Sequence, residues 1–170
     1  TKQDLYDILY GATILGTGGG GSLENGLKLI DKALAMGKEF RLADFNEVPD
    51  DAWIAVPYMC GSVSPATPEL EAQYAALPHL SEPQPYLAYK ALEEYFGEEL
   101  YGVISTELGG GNTAEALYVA ALLGKNIIDA DPAGRSVPEL IHSTFCIFNT
   151  PIYPLAVANA FGDVAIFPRV

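Results

Sequence analysis

The chain has 170 residues, 49% hydrophobic and 18% charged, which is enough for one domain with a real core and excludes a disordered or coiled-coil protein. Nine basic residues against 22 acidic ones leave a formal charge of −13, which argues against a nucleic-acid partner, because that needs a Lys/Arg surface to replace counterions. No apolar run approaches the roughly 20 residues that span a bilayer, and Asp4 and Asp7 interrupt what would have to be a signal peptide, so no membrane partner is expected.

In chain order, Thr1 with Asp4 forms a capping-box pattern, and Leu5, Ile8, Leu9 and Ala12 recur at helical spacing, predicting a helix to about Leu15. Ser22 is a good N-cap for a second helix carrying Leu23, Leu27, Ile30 and Leu34 and ending near Gly37. Phe40–Ala43 and Trp53–Cys60 read as strands. Prolines at 65, 68, 78, 83 and 85 break the next stretch into short pieces, with one helical turn at Glu69–Leu77, before a helix that ends at Gly97. Leu100–Ser105 is a strand, Asn112 an N-cap, Thr113–Leu123 an apolar helix and Asn126–Ala130 a strand. This βαβ unit requires parallel strands. His142–Asn149 reads as β structure, and Pro154–Phe167 as a hairpin turning at Phe161-Gly162-Asp163. The fold class is therefore α/β, a parallel or mixed sheet with flanking helices and a C-terminal hairpin. Cys60 and Cys146, each in an apolar run, read as reduced core thiols of a cytoplasmic protein.

Ligands bind where the strands of a parallel sheet end. Glu107 and Asn112 leave the first strand of the βαβ unit there; Asp129 and Asp131 leave the second, followed by Arg135, Glu139 and His142. Such a rim could run acid/base chemistry or bind a divalent metal through Asp129 and Asp131; equally, each aspartate could cap a helix and Arg135 could pair with Glu139 on the surface. Two glycine loops frame it. Gly16, Gly18 and Gly21 match G-x-G-x-x-G, although a helix precedes them where a dinucleotide fold has a strand. Gly109, Gly111 and Ala114 match the same pattern in the proper context, with an acid 18–20 residues on. The amides of Gly18, Gly19, Gly20, Gly109, Gly110 and Gly111 are thus candidate anion-binding groups. Cys60 at a strand end is a candidate nucleophile without an obvious base, and no G-x-S-x-G elbow is present.

GATILGTGGGGS, STELGGGNT and DADPAGRSVPEL, in that order, resemble the N-terminal domain of the S-methyl-thiohydantoin desulfurase-like, hydantoin-utilisation-related proteins. The resemblance spans nearly the whole chain. It implies hydrolysis of a small five-membered cyclic ureide or its thio-analogue, and a further β-rich C-terminal domain as partner. For that activity the chemistry of the side chains would have Glu107 or Asp129 activate water, with or without a divalent metal shared with Asp131. The Gly109–Gly111 amides would hold an oxyanion, and Arg135 would hold a substrate carboxylate. One departure is Ser22, where an acidic residue commonly follows the first glycine run in that family. The alternatives are a nucleotide- or dinucleotide-binding module on Gly109–Ala114, taking NAD or ATP, and a non-catalytic assembly domain. The latter would form a homo-oligomer or dock its partner through residues 61–85.

Overall fold

The structure, a computed structural model, describes residues 1–60, 64 and 66–169. Its helices are α1 (Lys2–Gly16), α2 (Leu23–Ala35), α3 (Pro68–Ala75), α4 (Gln84–Phe96), α5 (Gly110–Leu123) and α6 (Thr144–Ile147). The strands are β1 (Leu42–Ala43), β2 (Ile54–Ala55), β3 (Gly102–Ile104), β4 (Asn126–Ile128), β5 (Leu155–Ala158) and β6 (Val164–Phe167). Among the described residues the first four form a sheet in the order β1-β4-β3-β2, with every neighbouring pair parallel. β5 and β6 form a separate antiparallel hairpin.

Local chemistry explains where most helices begin. The Thr1 hydroxyl accepts from the Asp4 amide and the Asp4 carboxylate reaches back, which closes the expected capping box. The Ser22 hydroxyl accepts from the Asn25 amide at 3.3 Å to start α2. In α5 the buried residues lie all around the helix, from Ala114 through Ala121, as a helix enclosed on several sides requires. It joins Leu5 and Leu9 of α1, Ile30 of α2, Tyr89 of α4, and Val103 and Ile127 of the sheet in one core. Burying a side chain such as Leu117 or Val119 contributes about 1.5–3 kcal/mol.

Four expectations are corrected. The Trp53–Cys60 strand shrinks to Ile54–Ala55, because Pro57 has no N–H to continue the ladder with β3. The pairing of Phe40–Ala43 is likewise confined to Leu42–Ala43. The expected β structure at 142–149 is instead the end of a 3-10 turn at Leu140–His142, then α6 and a turn at 148–149. A short apolar run has no strand-specific periodicity, and here the Thr144 amide is fixed on the Pro132 carbonyl at 2.8 Å, beyond the end of β4. Asn112 is not the cap of α5: the helix begins at Gly110 with Gly109 as its N-cap, and Asn112 lies inside the first turn. Of the proline-broken stretch, 61–63 and 65 lie outside the described residues; the helical turn within it is the eight-residue α3.

Candidate functional site

The two glycine loops interlock. The Gly20 carbonyl accepts from the Gly111 amide at 3.0 Å and the Asn112 amide at 2.9 Å. These are the second and third amides of α5, the donors that an N-cap side chain ordinarily satisfies. The cap of α5 therefore comes from the main chain of a loop about ninety residues earlier. Glycine is what permits it. A Cβ on Gly109 would overlap the backbone of Gly20, one on Gly20 would sit 2.5 Å from the Gly109 Cα, and one on Gly16 would sit 2.6 Å from the Leu108 carbonyl. Gly20 also has φ +74°, a left-handed conformation that side chains disfavour.

One turn on, α2 crosses α5 at equally close range. A Cβ on Gly26 would fall on the Gly110 carbonyl oxygen, well inside contact distance, and 2.9 Å from the Ala114 Cβ. The third motif closes on the first: a Cβ on Gly19 would lie 2.7 Å from the Ser136 Cβ. All three sequence motifs thus meet beyond the carboxyl ends of β3 and β4.

The amides of Gly111 and Asn112 face a carbonyl and are not open to an incoming anion. Gly18, with φ +100° and open space beside its Cα, lies on the rim of the junction. Glu107 is half-buried in the loop after β3 with φ 55°, a left-handed conformation costing a non-glycine residue on the order of 1–3 kcal/mol. Its carbonyl receives the Asn112 side-chain amide at 3.5 Å, the long limit of a hydrogen bond. Asn112 is buried, whereas Asp129 and Arg135 are exposed. The backbone of Asp129 continues the sheet by donating to the Ala43 carbonyl at 2.9 Å.

Asp131 is the most distinctive member. Its Oδ1 accepts from the Ala133 and Gly134 amides, both at 2.7 Å, which folds the loop back on itself. Its Oδ2 is buried with no hydrogen-bond partner among the described residues. Burial pushes this carboxyl above the ordinary aspartate range, with the two amides pulling the other way. A carboxyl oxygen in that position favours a proton or a ligand donor.

No group of three His, Cys, Asp or Glu side chains among the described residues is placed to hold a metal ion. With Asp131 Oδ1 taken by two amides, Asp129 and Asp131 alone bring too few oxygen donors for a protein-built divalent site.

Tyr58 was not singled out by the sequence. It lies three residues past β2, where β2 runs beside β3, and is half-buried. Burial raises its phenol above the usual value, and the neighbouring Cys60 and Glu107 push in the same direction. Its place just beyond the end of a buried strand was the available signal. Cys60 is exposed and is not the core thiol expected; Cys146 is half-buried. Gly61 and Ser62, which follow Cys60 in the sequence, lie outside the described residues.

Among the described residues no helix is long and apolar enough to cross a membrane. No functionally curated protein matches the chain. A protein of Chromobacterium violaceum with a known crystal structure is similar, at 28% identity and a TM-score of 0.71. The match covers 98% of this chain and 44% of that one, so this chain spans less than half the length of its solved relative. The family model described as S-Me-THD-like, N-terminal domain, matches residues 3–169, which include all three interlocked motifs. On that match the chain belongs to the S-Me-THD-like N-terminal-domain family.

Proposed function

We propose that this domain supplies the acid/base rim of a hydrolase acting on a small cyclic ureide or thiohydantoin-type substrate, with water replacing a sulfur substituent or opening the ring. The observation that carries the reading is Asp131 Oδ2, a buried carboxyl oxygen without a hydrogen-bond partner among the described residues, in the loop after β4 whose Ser136 packs on Gly19. Burial raises the Asp131 carboxyl above the ordinary aspartate range against the pull of two amides, which favours its exchanging a proton with a ring nitrogen or a departing group. Glu107 accepts the proton of the attacking water, beside the Tyr58 phenol, which stays protonated and can donate to the developing oxyanion. Arg135, exposed next to Ser136 at the junction, holds a substrate carboxylate.

The family membership and the Glu107–Asp131 rim support hydrolysis over dinucleotide binding, because two of the amides a pyrophosphate would need already cap α5 through Gly20. The reaction belongs in the cytoplasm, where an exposed thiol such as Cys60 stays reduced. The test is turnover of S-methyl-thiohydantoin and of hydantoin by the intact gene product and its Glu107→Gln and Asp131→Asn variants. A loss of about 100-fold or more in kcat in each is expected, with Tm at pH 7 no lower than wild type. Full turnover in both variants would overturn the assignment.

A further inference from the structure

Charge is unevenly placed along this chain. From 42 to 89 there is no lysine or arginine, against seven acidic residues. Within that region every residue from 66 to 82 is exposed, α3 included. Leu70, Tyr74 and Leu77 recur at i, i+4 and i+7 and so share one side of the helical arm, where they are 36%, 47% and 46% exposed. Glu69 and Glu71 lie in its first turn, and neither pairs with a cation among the described residues. An eight-residue helix does not persist in water alone, where even about 12–15 residues are marginal. The Thr67 hydroxyl caps it by accepting from the Leu70 amide, but a cap contributes only about 1 kcal/mol. The Tyr74 ring on Phe161, at 5.9 Å, ties the far end of the arm to the body. The arm is thus left with an apolar stripe and two unpaired carboxylates.

A matching surface lies elsewhere on the same molecule. Four of the nine basic residues, Lys28, Lys32, Lys38 and Arg41, fall within 28–41, where only Asp31 and Glu39 oppose them. The stretch 36–42 runs from the C-cap of α2 into β1, an edge strand of the sheet. Met36 and Leu42 are 52% and 56% exposed. Lys38 donates to the Leu122 carbonyl at 3.4 Å and has no carboxylate partner among the described residues. Arg41 pairs with exposed Glu39 at 3.2 Å, a surface contact that is weak and easily exchanged.

We propose that the α3 arm of one copy docks on the 36–42 edge of a second copy of this chain, and the second copy's arm on the first. Leu70, Tyr74 and Leu77 then cover Met36 and Leu42, while Glu69 and Glu71 meet Lys38 and Arg41. Making the same contact in both directions closes a two-fold dimer. The formal charge of −13 on each copy does not forbid it. Charges farther apart than about 8 Å are largely screened at physiological salt, and those at this contact are of opposite sign. Like charges brought together there would oppose docking, so the pairing also fixes which surfaces meet.

The test is the mass of the intact gene product by light scattering at about 0.1 M and about 1 M salt, between which the screening length falls from about 10 Å to about 3 Å. The variants are Glu69→Lys/Glu71→Lys on the arm, Lys38→Glu/Arg41→Glu on the edge, and Leu77→Ser as an uncharged change. The expected result is a wild-type assembly that loosens at the higher salt, and a mass that halves in each charge reversal at the lower one. Mixing the two reversed proteins restores the wild-type mass, because every arm then meets an edge of opposite charge. Far-UV circular dichroism checks that each variant is folded. If a reversal does not fold, Leu77→Ser decides alone, by coming apart at a higher protein concentration than wild type. A wild type that is monomeric at both salts would overturn the proposal. So would a mass unchanged by either reversal or by Leu77→Ser, or folded reversed variants whose mass does not recover on mixing.

Discussion

Two helix glycines separate the interlock from ordinary helix propensity, because the same substitution should have opposite signs at each. Gly11 lies within α1 with nothing near the space a Cβ would take. Replacing it with alanine should add stability, about 0.5–1 kcal/mol, from helix propensity alone. Gly26 lies within α2, where the added methyl would meet the Gly110 carbonyl oxygen and stand 2.9 Å from the Ala114 Cβ. The propensity gain is the same, about 1 kcal/mol. Against it stand about 1–3 kcal/mol for overpacking and about 1 kcal/mol for each hydrogen bond stretched as α2 backs away from α5. Two such bonds, Gly111 and Asn112 to Gly20, lie next to the crossing. The net expectation for Gly26→Ala is a loss of about 2–4 kcal/mol, a Tm lower by about 4–16 °C in a domain of this size. Thermal and urea melts of the two variants beside wild type measure it. A Gly26→Ala protein as stable as Gly11→Ala would refute the close crossing, and with it the structural role assigned to the loops.

Glu115 of α5 has a buried Oε2 without a hydrogen-bond partner among the described residues, and burial raises its carboxyl, with Lys32 opposing the shift. A raised folded-state pKa means the contribution is complete below the ordinary carboxylate range and is lost as pH rises through the raised value. Glu115→Gln should therefore gain more Tm over wild type at pH 7 than at pH 4, and an equal difference at both would refute the assignment. Glu93 accepts from the Leu100 amide at 3.0 Å and from Lys90 at 2.5 Å, in a buried position. Glu93→Ala strands that amide and should cost about 1–3 kcal/mol in a urea melt, while Glu93→Gln keeps an acceptor and should cost less.

What the sequence showed and what it hid divide along chain separation. Thr1 with Asp4 and Ser22 with Asn25 are contacts three residues apart, and both caps form as read. The βαβ unit is equally local: strand, glycine loop and apolar helix succeed one another, and β3 and β4 pair in parallel. Strand length depended on a single residue, Pro57, whose effect on the ladder was readable in advance. The 142–149 segment was not, since Phe145, Cys146, Ile147 and Phe148 satisfy a strand and a helix pattern equally, and the Pro132 carbonyl that anchors Thr144 is a tertiary partner.

At the site, residue types were legible and their company was not. Glu107 and Asp131 lie at the strand ends as expected, but Tyr58 beside Glu107 follows from β2 taking the edge next to β3, which no local pattern encodes. The loops show the same limit more sharply. A run of glycines before a helix is compatible with an amide cradle for an anion and with a crossing too close for any Cβ. Gly20 decides between them at its own position, since its carbonyl occupies the two amides an anion would use. Stabilisation of negative charge at this rim then falls to side chains, of which the Tyr58 phenol is the proton donor and the Asp131 carboxyl, raised by burial, takes up a proton more readily than an ordinary aspartate. The glycines act one step back. By letting the first glycine loop pack backbone on backbone against Leu108–Gly111, with Ser136 closing on Gly19, they bring the loop that follows β4 and the turn that follows β3 onto one glycine run.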